Sequence, residues 1–403
     1  MTQWFDPEPT FKGLLFAKEL MSRGFEVEVI TGFPNYPGGK LYDGYHLKLI
    51  QKEVIEGVCV TRLPLFPSHD KSKFGRVANY LSFAISSLFY GLFFAKRPDV
   101  IYAYHPPLTV GISAGIINFF RRVPIVLDIQ DMWPDTLKAT GMITNSRILG
   151  LVSRICNLIY SSAAKIVVLS PGFKRLLVAR GVPEKKINVI YNWADEEVLR
   201  KSSGKLPKEL TSVEGFKVLF AGNIGQAQGL DVILDAAFLL KDSVPEMQFF
   251  IMGEGLQRNS LKTKADSLNL KNVHFLNAVN MENVGIFLDY VDALLIHLNS
   301  DPLFEITIPG KSQAYMAVGK PIIMGVKGDA SNLVSRANCG VCFEPENSKK
   351  LAEVVNNLMN LSSEEIKELG DNARKFYDKN LSVRAGIDSF SKIFTEVINN
   401  SNS

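Results

Sequence analysis

Cysteine is scarce in this 403-residue sequence, which contains only Cys59, Cys156, Cys339 and Cys342. So few thiols in so long a chain exclude a disulfide framework and fit a reducing cytoplasm. Cys339 and Cys342 form a CxxC, but a zinc site needs four ligands. No second CxxC or His pair stands nearby, which leaves strand packing within CGVCFEP as their role. The start, MTQWFDPEPT, lacks the charged and apolar regions of a signal peptide. Low-complexity tracts and coiled-coil or solenoid repeats are missing too, and the basic residues are not interleaved with any nucleic-acid motif. An intracellular protein without a nucleic-acid partner is expected.

What is present is an ordinary folded composition, 46% apolar and 21% charged. A chain of this length exceeds what one core usually supports, so two domains are expected. Residues 1 to 200 carry 24 Lys and Arg against 17 Asp and Glu, a balance of +7; the remainder carries 21 against 24, a balance of −3. The first half is therefore the better candidate to meet an anionic surface, although a mixed solvated surface explains the same numbers. Apolar runs rich in Val and Ile alternate with helical patterns along the chain. They are EVEVIT, VCVTRL, DVIYAY, PIVLDI, KIVVLS and NVIYNW, then KVLFAG, MQFFIMG, NVHFLN, ALLIHL and PIIMGV. Such alternation means parallel βαβ units with helices on both sheet faces. The polar DEEVLRKSSGKLPKEL (195–210) reads as the linker between two doubly wound domains, whose ligands bind beyond the carboxyl ends of the strands. At the N-terminus only TQWF precedes the loop DPEPTFKG. The first strand is either very short or begins upstream.

The loops after the strands hold the candidate chemistry. VLFAGNIGQAQG (218–229) passes from a strand into three glycines and then a helix, with no Lys or Arg inside it. Gly222, Gly225 and Gly229 would let the backbone approach an anion at the next helix N-terminus. The spacing matches neither G-x-G-x-x-G nor a P-loop, and a tight strand-to-helix turn explains it equally well. A second glycine turn, Gly253-Glu254-Gly255, follows MQFFIMG. After ALLIHL comes NSDPLFEITIPGKSQAYMAVGKP, where Gly310-Lys311 opens a helical pattern. A cation in a helix's first turn is locally unfavourable, so Lys311 calls for an anionic partner.

YNWAD (191–195), FAGNIG (220–225), MGEG (252–255) and IPGKSQAYMAVGKPI (308–322) resemble, in order and spacing, the nucleotide-sugar half of retaining glycosyltransferases of family four. FDPEPT, TGFPNYPGG and LDIQDMWPD resemble the acceptor half of the bacterial polysaccharide members. The resemblance covers almost the whole chain, and is strongest to O-antigen and capsule enzymes of the N-acetyl-fucosaminyl transferase type. It implies the GT-B fold: two Rossmann-like α/β domains with doubly wound parallel sheets, facing a central cleft. The acceptor domain would be residues 1–198 plus a crossover helix at 382–403, and the nucleotide-sugar domain 199–381.

Carried over position by position, the resemblance implies donor contacts at Gly13, Asn192, Gly222, Asn223, Gly225, Gln228, Gly253, Glu254, Gly255, Ile308, Pro309, Gly310 and Ser312. It also implies catalytic roles for Lys311, Asp131, His105 and Glu305. Family members often carry an Arg and a Lys where this chain has Asn223 and Gln228, and two glutamates where it has Ile306 and Ala314, with Glu305 adjacent. The missing loop cations shift weight onto Lys311. His105 ends a strand, and is either in the site or a satisfied structural histidine. Gln130 and Asp131 end the next strand, and Asp131 either serves as general base or caps the helix near Trp133-Pro134. Gly13 either admits the donor phosphates or simply starts a helix.

The reaction implied is transfer with retention at the anomeric carbon from a UDP-sugar, with positioned donors and one cation stabilising the leaving diphosphate. No metal is required by this account, and the Asp-x-Asp that a GT-A enzyme would use is missing. The segment 71–97, KSKFGRVANYLSFAISSLFYGLFFAKR, is basic at both ends and apolar between, but shorter in its apolar part than the roughly 20 residues needed to span a bilayer. It serves as a buried helix, as an interfacial one, or as both. A polyprenyl-diphosphate-linked glycan acceptor and a location at the inner face of the cytoplasmic membrane follow from that reading. Two alternatives stay open: a UDP-N-acetyl-sugar 2-epimerase, and a non-catalytic nucleotide-sugar binder within a polysaccharide assembly complex.

Overall fold

A computed structural model describes residues 1–68, 73–105, 107–139, 142–201 and 204–402. The chain divides into two compact units, Met1–Ile190 with Ile387–Ser403, and Tyr191–Gly386. The first runs α1 (Leu14–Ser22), β1 (Glu28–Gly32), β2 (Gln51–Ile55), β3 (Val58–Leu63), α2 (Lys73–Phe93), β4 (Ile101–His105) and α3 (Leu108–Arg121). It continues with β5 (Ile125–Ile129), α4 (Asp135–Ala139), α5 (Ser146–Ser162), β6 (Lys165–Val168), α6 (Pro171–Ala179) and β7 (Ile187–Val189). Two ladders form, β2-β3-β1 and β4-β5-β6-β7, parallel except for the antiparallel β2–β3 pair.

Residues 1–3 pair as a very short strand between these ladders. Thr2 N–H donates to Ile30 O (3.1 Å) and Gly32 N–H to Gln3 O (3.3 Å) on one side. On the other, Tyr104 N–H donates to Met1 O (3.0 Å) and the Met1 amine to Tyr102 O (2.8 Å). Three residues hold no apolar period, which is why the segment carries so weak a strand signal.

The second unit runs α7 (Glu196–Lys201), α8 (Lys208–Thr211), β8 (Phe216–Ala221), α9 (Asp231–Leu240), β9 (Met247–Met252), α10 (Arg258–Ser267), β10 (Val273–Leu276) and α11 (Met281–Tyr290). Then come β11 (Ala293–His297), α12 (Pro302–Glu305), α13 (Lys311–Val318), β12 (Ile322–Gly325), α14 (Asp329–Ala337), β13 (Gly340–Cys342), α15 (Ser348–Met359) and α16 (Ser363–Asn380), while α17 (Val383–Asn402) begins in this unit and belongs to the first from Ile387. Its all-parallel sheet has the order β10-β9-β8-β11-β12-β13. Both faces are covered: Leu219, Phe250 and Leu294 belong to one core cluster, Val218, Phe249 and Leu295 to the other. That two-sided burial is the reason these strands read as unbroken apolar runs.

The expected boundaries move. The chain divides after Ile190 rather than 198, because part of the polar segment 195–210 and the residues before it are core: Leu210 is fully buried and Ala194 N–H donates to the Tyr377 hydroxyl at 3.2 Å. The second boundary lies within α17, between Gly386 and Ile387, rather than ahead of it at 382. In the second unit chain order reverses at β8, with β9 and β10 on one side and β11 on the other. The loops after β8 and β11 therefore flank the switch point of a doubly wound sheet, where ligands bind.

Candidate functional site

Strand β8 ends in Phe220 and Ala221, with Gly222 next, and α13 from the other side of the switch point is fastened to it. The buried Tyr315 hydroxyl accepts from Ala221 N–H (3.1 Å) and donates to Ala221 O (3.3 Å). Lys311 lies one turn earlier, so it projects from the same helix face toward the same strand end. Its ammonium sits 3.5 Å from the centre of the Phe220 ring. A Cβ on Gly222 (φ +141°) would lie 2.6 Å from Lys311 Cε and 2.8 Å from Nζ, so the glycine makes the channel through which the lysine passes. No carboxylate pairs with Lys311 among the described residues, and burial pushes its pKa down to about 7. A desolvated ammonium without a counter-ion is a place for an anion.

The glycine loop around it differs from the open backbone cradle expected. Gly222 N–H donates to Met252 O (2.9 Å), Ile224 N–H to Glu254 O (2.8 Å) and Gly225 N–H to the Gln228 side chain (3.0 Å). These amides are spent inside the protein, whereas Asn223 N–H has no acceptor among the described residues. The side chains of Asn223 and Gln228 bond each other at 3.3 Å, which ties them to the loop rather than freeing them for a ligand. Gly253 and Gly255 are required by packing: a Cβ on the first would strike Gly222 O at 1.8 Å, and on the second Ile224 O at 2.3 Å. Glu254 contributes its carbonyl to that contact, and its carboxylate, 3.6 Å from Arg258, is exposed.

Sequence reasoning missed the residues that hold this loop from the β11 side. Asn299 donates to it twice, from its backbone N–H to Ala227 O and from its side-chain amide to Gln226 O, both at 2.9 Å. Buried His297 contacts Gln228 O through Nδ1 (2.6 Å), and its Nε2 accepts from Glu346 N–H (2.9 Å). That pattern makes it a neutral imidazole with the proton on Nδ1, and burial lowers its pKa accordingly. A single histidine ending a buried strand was the available signal.

The remaining expected residues spread more widely. Ile308 is buried, and Ser312 is fully buried with its N–H donating to Pro309 O (2.9 Å) and its hydroxyl without a partner among the described residues, so Ser312 is a core residue rather than a surface contact. Gly310 caps α13 without a side chain, and Pro309 is half-buried. Asn192 is buried at the start of the second unit. Glu305 is exposed at the end of α12, with no ion pair to Lys311 among the described residues. An open cavity of about 400 Å³ is lined by Gly225, Asp231, Asp235, Asn299 and Glu346, but not by Gly222 or Lys311.

In the first unit, Asp131 follows β5. Its carboxyl has no hydrogen-bond partner among the described residues, and burial raises its pKa. The helix ahead begins only at Asp135, so the capping role considered for Asp131 is not what it performs. Gln130 is turned back onto buried Asp128 (2.6 Å), which also accepts from the Tyr102 hydroxyl (2.6 Å). His105 is the last residue of β4; its side chain lies outside the described residues. Gly13 does not open onto a phosphate: Asp6 Oδ2 accepts from Leu14 N–H at 2.6 Å, and a Cβ on Gly13 would lie 2.2 Å from that oxygen.

Two family models match the chain. The model described as "Glycosyl transferases group 1" covers residues 204–376, where Gly222 and Lys311 lie, and "Glycosyl transferase 4-like domain" covers residues 14–193. The chain belongs to the family-four glycosyltransferases. This glycosyltransferase is 24% identical over 306 residues to the probable glycosyltransferase WbjE of Pseudomonas aeruginosa, covering 73% of this chain and 74% of that one. It is 25% identical over 347 residues to the putative colanic acid biosynthesis glycosyl transferase WcaI of Escherichia coli K12, covering 82% and 84%. Among solved structures it resembles Anabaena HepE in complex with UDP, at a TM-score of 0.67 and 16% identity over 98% of this chain and 99% of that one. WaaG, a glycosyltransferase involved in lipopolysaccharide biosynthesis, gives 0.62 and 16%, over 98% and 100%. The two α/β units are thus those of the GT-B fold.

Proposed function

We propose that this glycosyltransferase takes a sugar from a UDP-sugar and adds it, with retention, to a lipid-diphosphate-linked glycan in the building of a surface polysaccharide such as O-antigen or capsule. The observation that carries the donor half is Lys311, threaded past Gly222 with no carboxylate paired to it among the described residues. When the bond between the anomeric carbon and the diphosphate oxygen breaks, negative charge grows on the leaving group. A pre-placed, desolvated ammonium stabilises that charge more than the ground state. The names of WbjE, WcaI and WaaG support the polysaccharide setting, and UDP bound to HepE supports the nucleotide. On the acceptor side, Asp131 keeps the role of accepting the proton of the attacking hydroxyl; burial has raised its proton affinity toward that task. N-acetyl-fucosamine is the sugar this reading favours, and the segment 71–97 brings the enzyme to the membrane that holds its acceptor.

UDP release by purified protein tests the reading, with a panel of UDP-N-acetyl sugars, a short lipid-diphosphate disaccharide, and Lys311→Ala alongside wild type. UDP that forms only with acceptor, and is lost in Lys311→Ala, supports it. A donor that epimerises without acceptor replaces it with the epimerase alternative, and a donor that binds without turnover replaces it with the binding partner.

A further inference from the structure

Helices α2, α3 and α5 lie side by side, α2 against α3 and α3 against α5. A Cβ on Gly91 would sit 2.4 Å from Ile117 Cδ1, and Arg121 at the end of α3 donates to Gly91 O and, at 2.9 Å, to Ala95 O. The faces turned away from these contacts are apolar. On α2, Phe74, Val77, Leu81, Ile85, Phe89 and Phe93 recur every three or four residues. All six are exposed, from 48% at Leu81 to 88% at Phe74. An amphipathic helix normally buries such a stripe; here it faces solvent. Beside it α3 exposes Phe119 (77%) and Phe120, packed edge to face at 5.2 Å. From α5 come Leu151 and Leu158 (70%).

Charge decides what covers this face. The three helices contain no Asp or Glu. Exposed cations edge it instead: Lys96 and Arg97 after α2, Arg122 after α3, and Arg147 and Arg154 on α5. None is held in an ion pair among the described residues. One acid, Asp99, stands in the link after α2. A second copy docking through the same face about a two-fold axis would set these cations against their own kind with almost no acid to answer them. An anionic bilayer answers both features, taking the apolar side chains at its acyl boundary and the guanidinium groups on its phosphates. No helix among the described residues is long and apolar enough to cross a membrane, which leaves contact from one side.

We propose that the outer face of α2, α3 and α5 docks on an anionic phospholipid bilayer, with the aromatic and aliphatic side chains inserted and Arg122, Arg147 and Arg154 on the head groups. This deepens the membrane reading of residues 71–97 and rests on it for α2; α3 and α5 extend the surface beyond that segment. The full chain is sedimented with phosphatidylcholine vesicles and with vesicles also containing phosphatidylglycerol. Three variants are compared with wild type: Phe74→Ser with Ile85→Ser, Phe119→Ser with Phe120→Ser, and Arg147→Glu with Arg154→Glu. Because these side chains are exposed, the variants should keep wild-type thermal unfolding and UDP affinity. Binding is expected only to the anionic vesicles, weakened by salt, and reduced about tenfold or more in every variant. Loss confined to the α2 variant would overturn the three-helix surface. Equal binding to neutral vesicles would overturn the role of the arginines, and a concentration-dependent dimer abolished by Phe119→Ser with Phe120→Ser would assign the face to a second copy. Vesicle binding without UDP release from any donor and acceptor pair would leave the docking standing and sink the transferase reading instead.

Discussion

Each unit has a short strand followed by a glycine-bearing loop and a helix, residues 1–3 to α1 in the first and β8 to α9 in the second, and the surroundings of the two loops differ in charge. In the first unit the chain fills its anion-seeking positions with its own carboxylates. Asp6 accepts from Leu14 N–H at the start of α1. Buried Glu8 accepts from Asn35 N–H (2.7 Å), Tyr36 N–H (2.8 Å) and Phe5 N–H (3.2 Å), and Lys12, just before Gly13, is buried in the field of Asp128. In the second unit the corresponding place offers a cation, Lys311, with no carboxylate paired to it among the described residues. Loop shape alone therefore says little about phosphate binding; what distinguishes the two is whether the protein has already supplied the anion.

The largest effect expected from that contrast falls on Lys311. Replacing it with Ala removes a charge-assisted contact, and UDP affinity measured by calorimetry should fall by about 2 kcal/mol, roughly 30-fold. Unchanged affinity would erase the contrast between the units. Next comes Tyr315→Phe, which leaves the buried N–H and C=O of Ala221 without their hydroxyl partner. Denaturant unfolding should show a loss of about 1–3 kcal/mol, with weaker UDP binding because α13 no longer holds Lys311 in register. A variant as stable as wild type would show that the hydroxyl is not what fastens the helix.

A pH effect follows in size. Free Lys311 titrates near 7, and a bound diphosphate favours its charged form, so the complex titrates higher. Below about 7 the lysine is already protonated and binding moves no proton at that site. Above it, binding draws a proton in, and affinity should fall by up to about tenfold per pH unit until the pKa of the complex is reached. Calorimetry at pH 8 in buffers of different ionisation enthalpy should detect the uptake in wild type and not in Lys311→Ala; equal uptake in both would place the titrating group elsewhere. The smallest effect sharpens the comparison from the other side. Asp6→Ala should cost about 1 kcal/mol of stability through the lost cap and leave UDP affinity untouched. A change in affinity would mean that the first loop also meets the nucleotide.

The strands were legible because a parallel strand covered on both faces is apolar at nearly every position, as IVLDI and ALLIH are apart from Asp128 and His297. Lys311 stood out in the sequence because its position in the first turn of a helix is electrostatically wrong without a partner. The roles of Gly253 and Gly255 were not, since their constraint is the backbone of a loop some thirty residues earlier, brought close only because β9 lies beside β8. Gly13 misled for the opposite reason: the space it opens is filled by Asp6, a few residues back in the same loop, and local pattern does not reveal which anion takes it. His297 and Asn299 carried no motif, and Tyr315 lay in one without showing its role, because each acts on a loop or strand end beside it only in the sheet order β8-β11.

By itself the sequence determined two largely parallel α/β units, through the period and length of its apolar runs, and singled out Lys311, through the charge of one side chain at a helix start. Tertiary structure decided which glycines face a ligand and which merely admit a neighbouring backbone. It also decided which amides are already spent, and that the stripe on α2 faces outward rather than into the core. Those outcomes depend on which elements become neighbours across the sheet, and hydrogen-bond satisfaction and burial are settled only when that neighbour is in place.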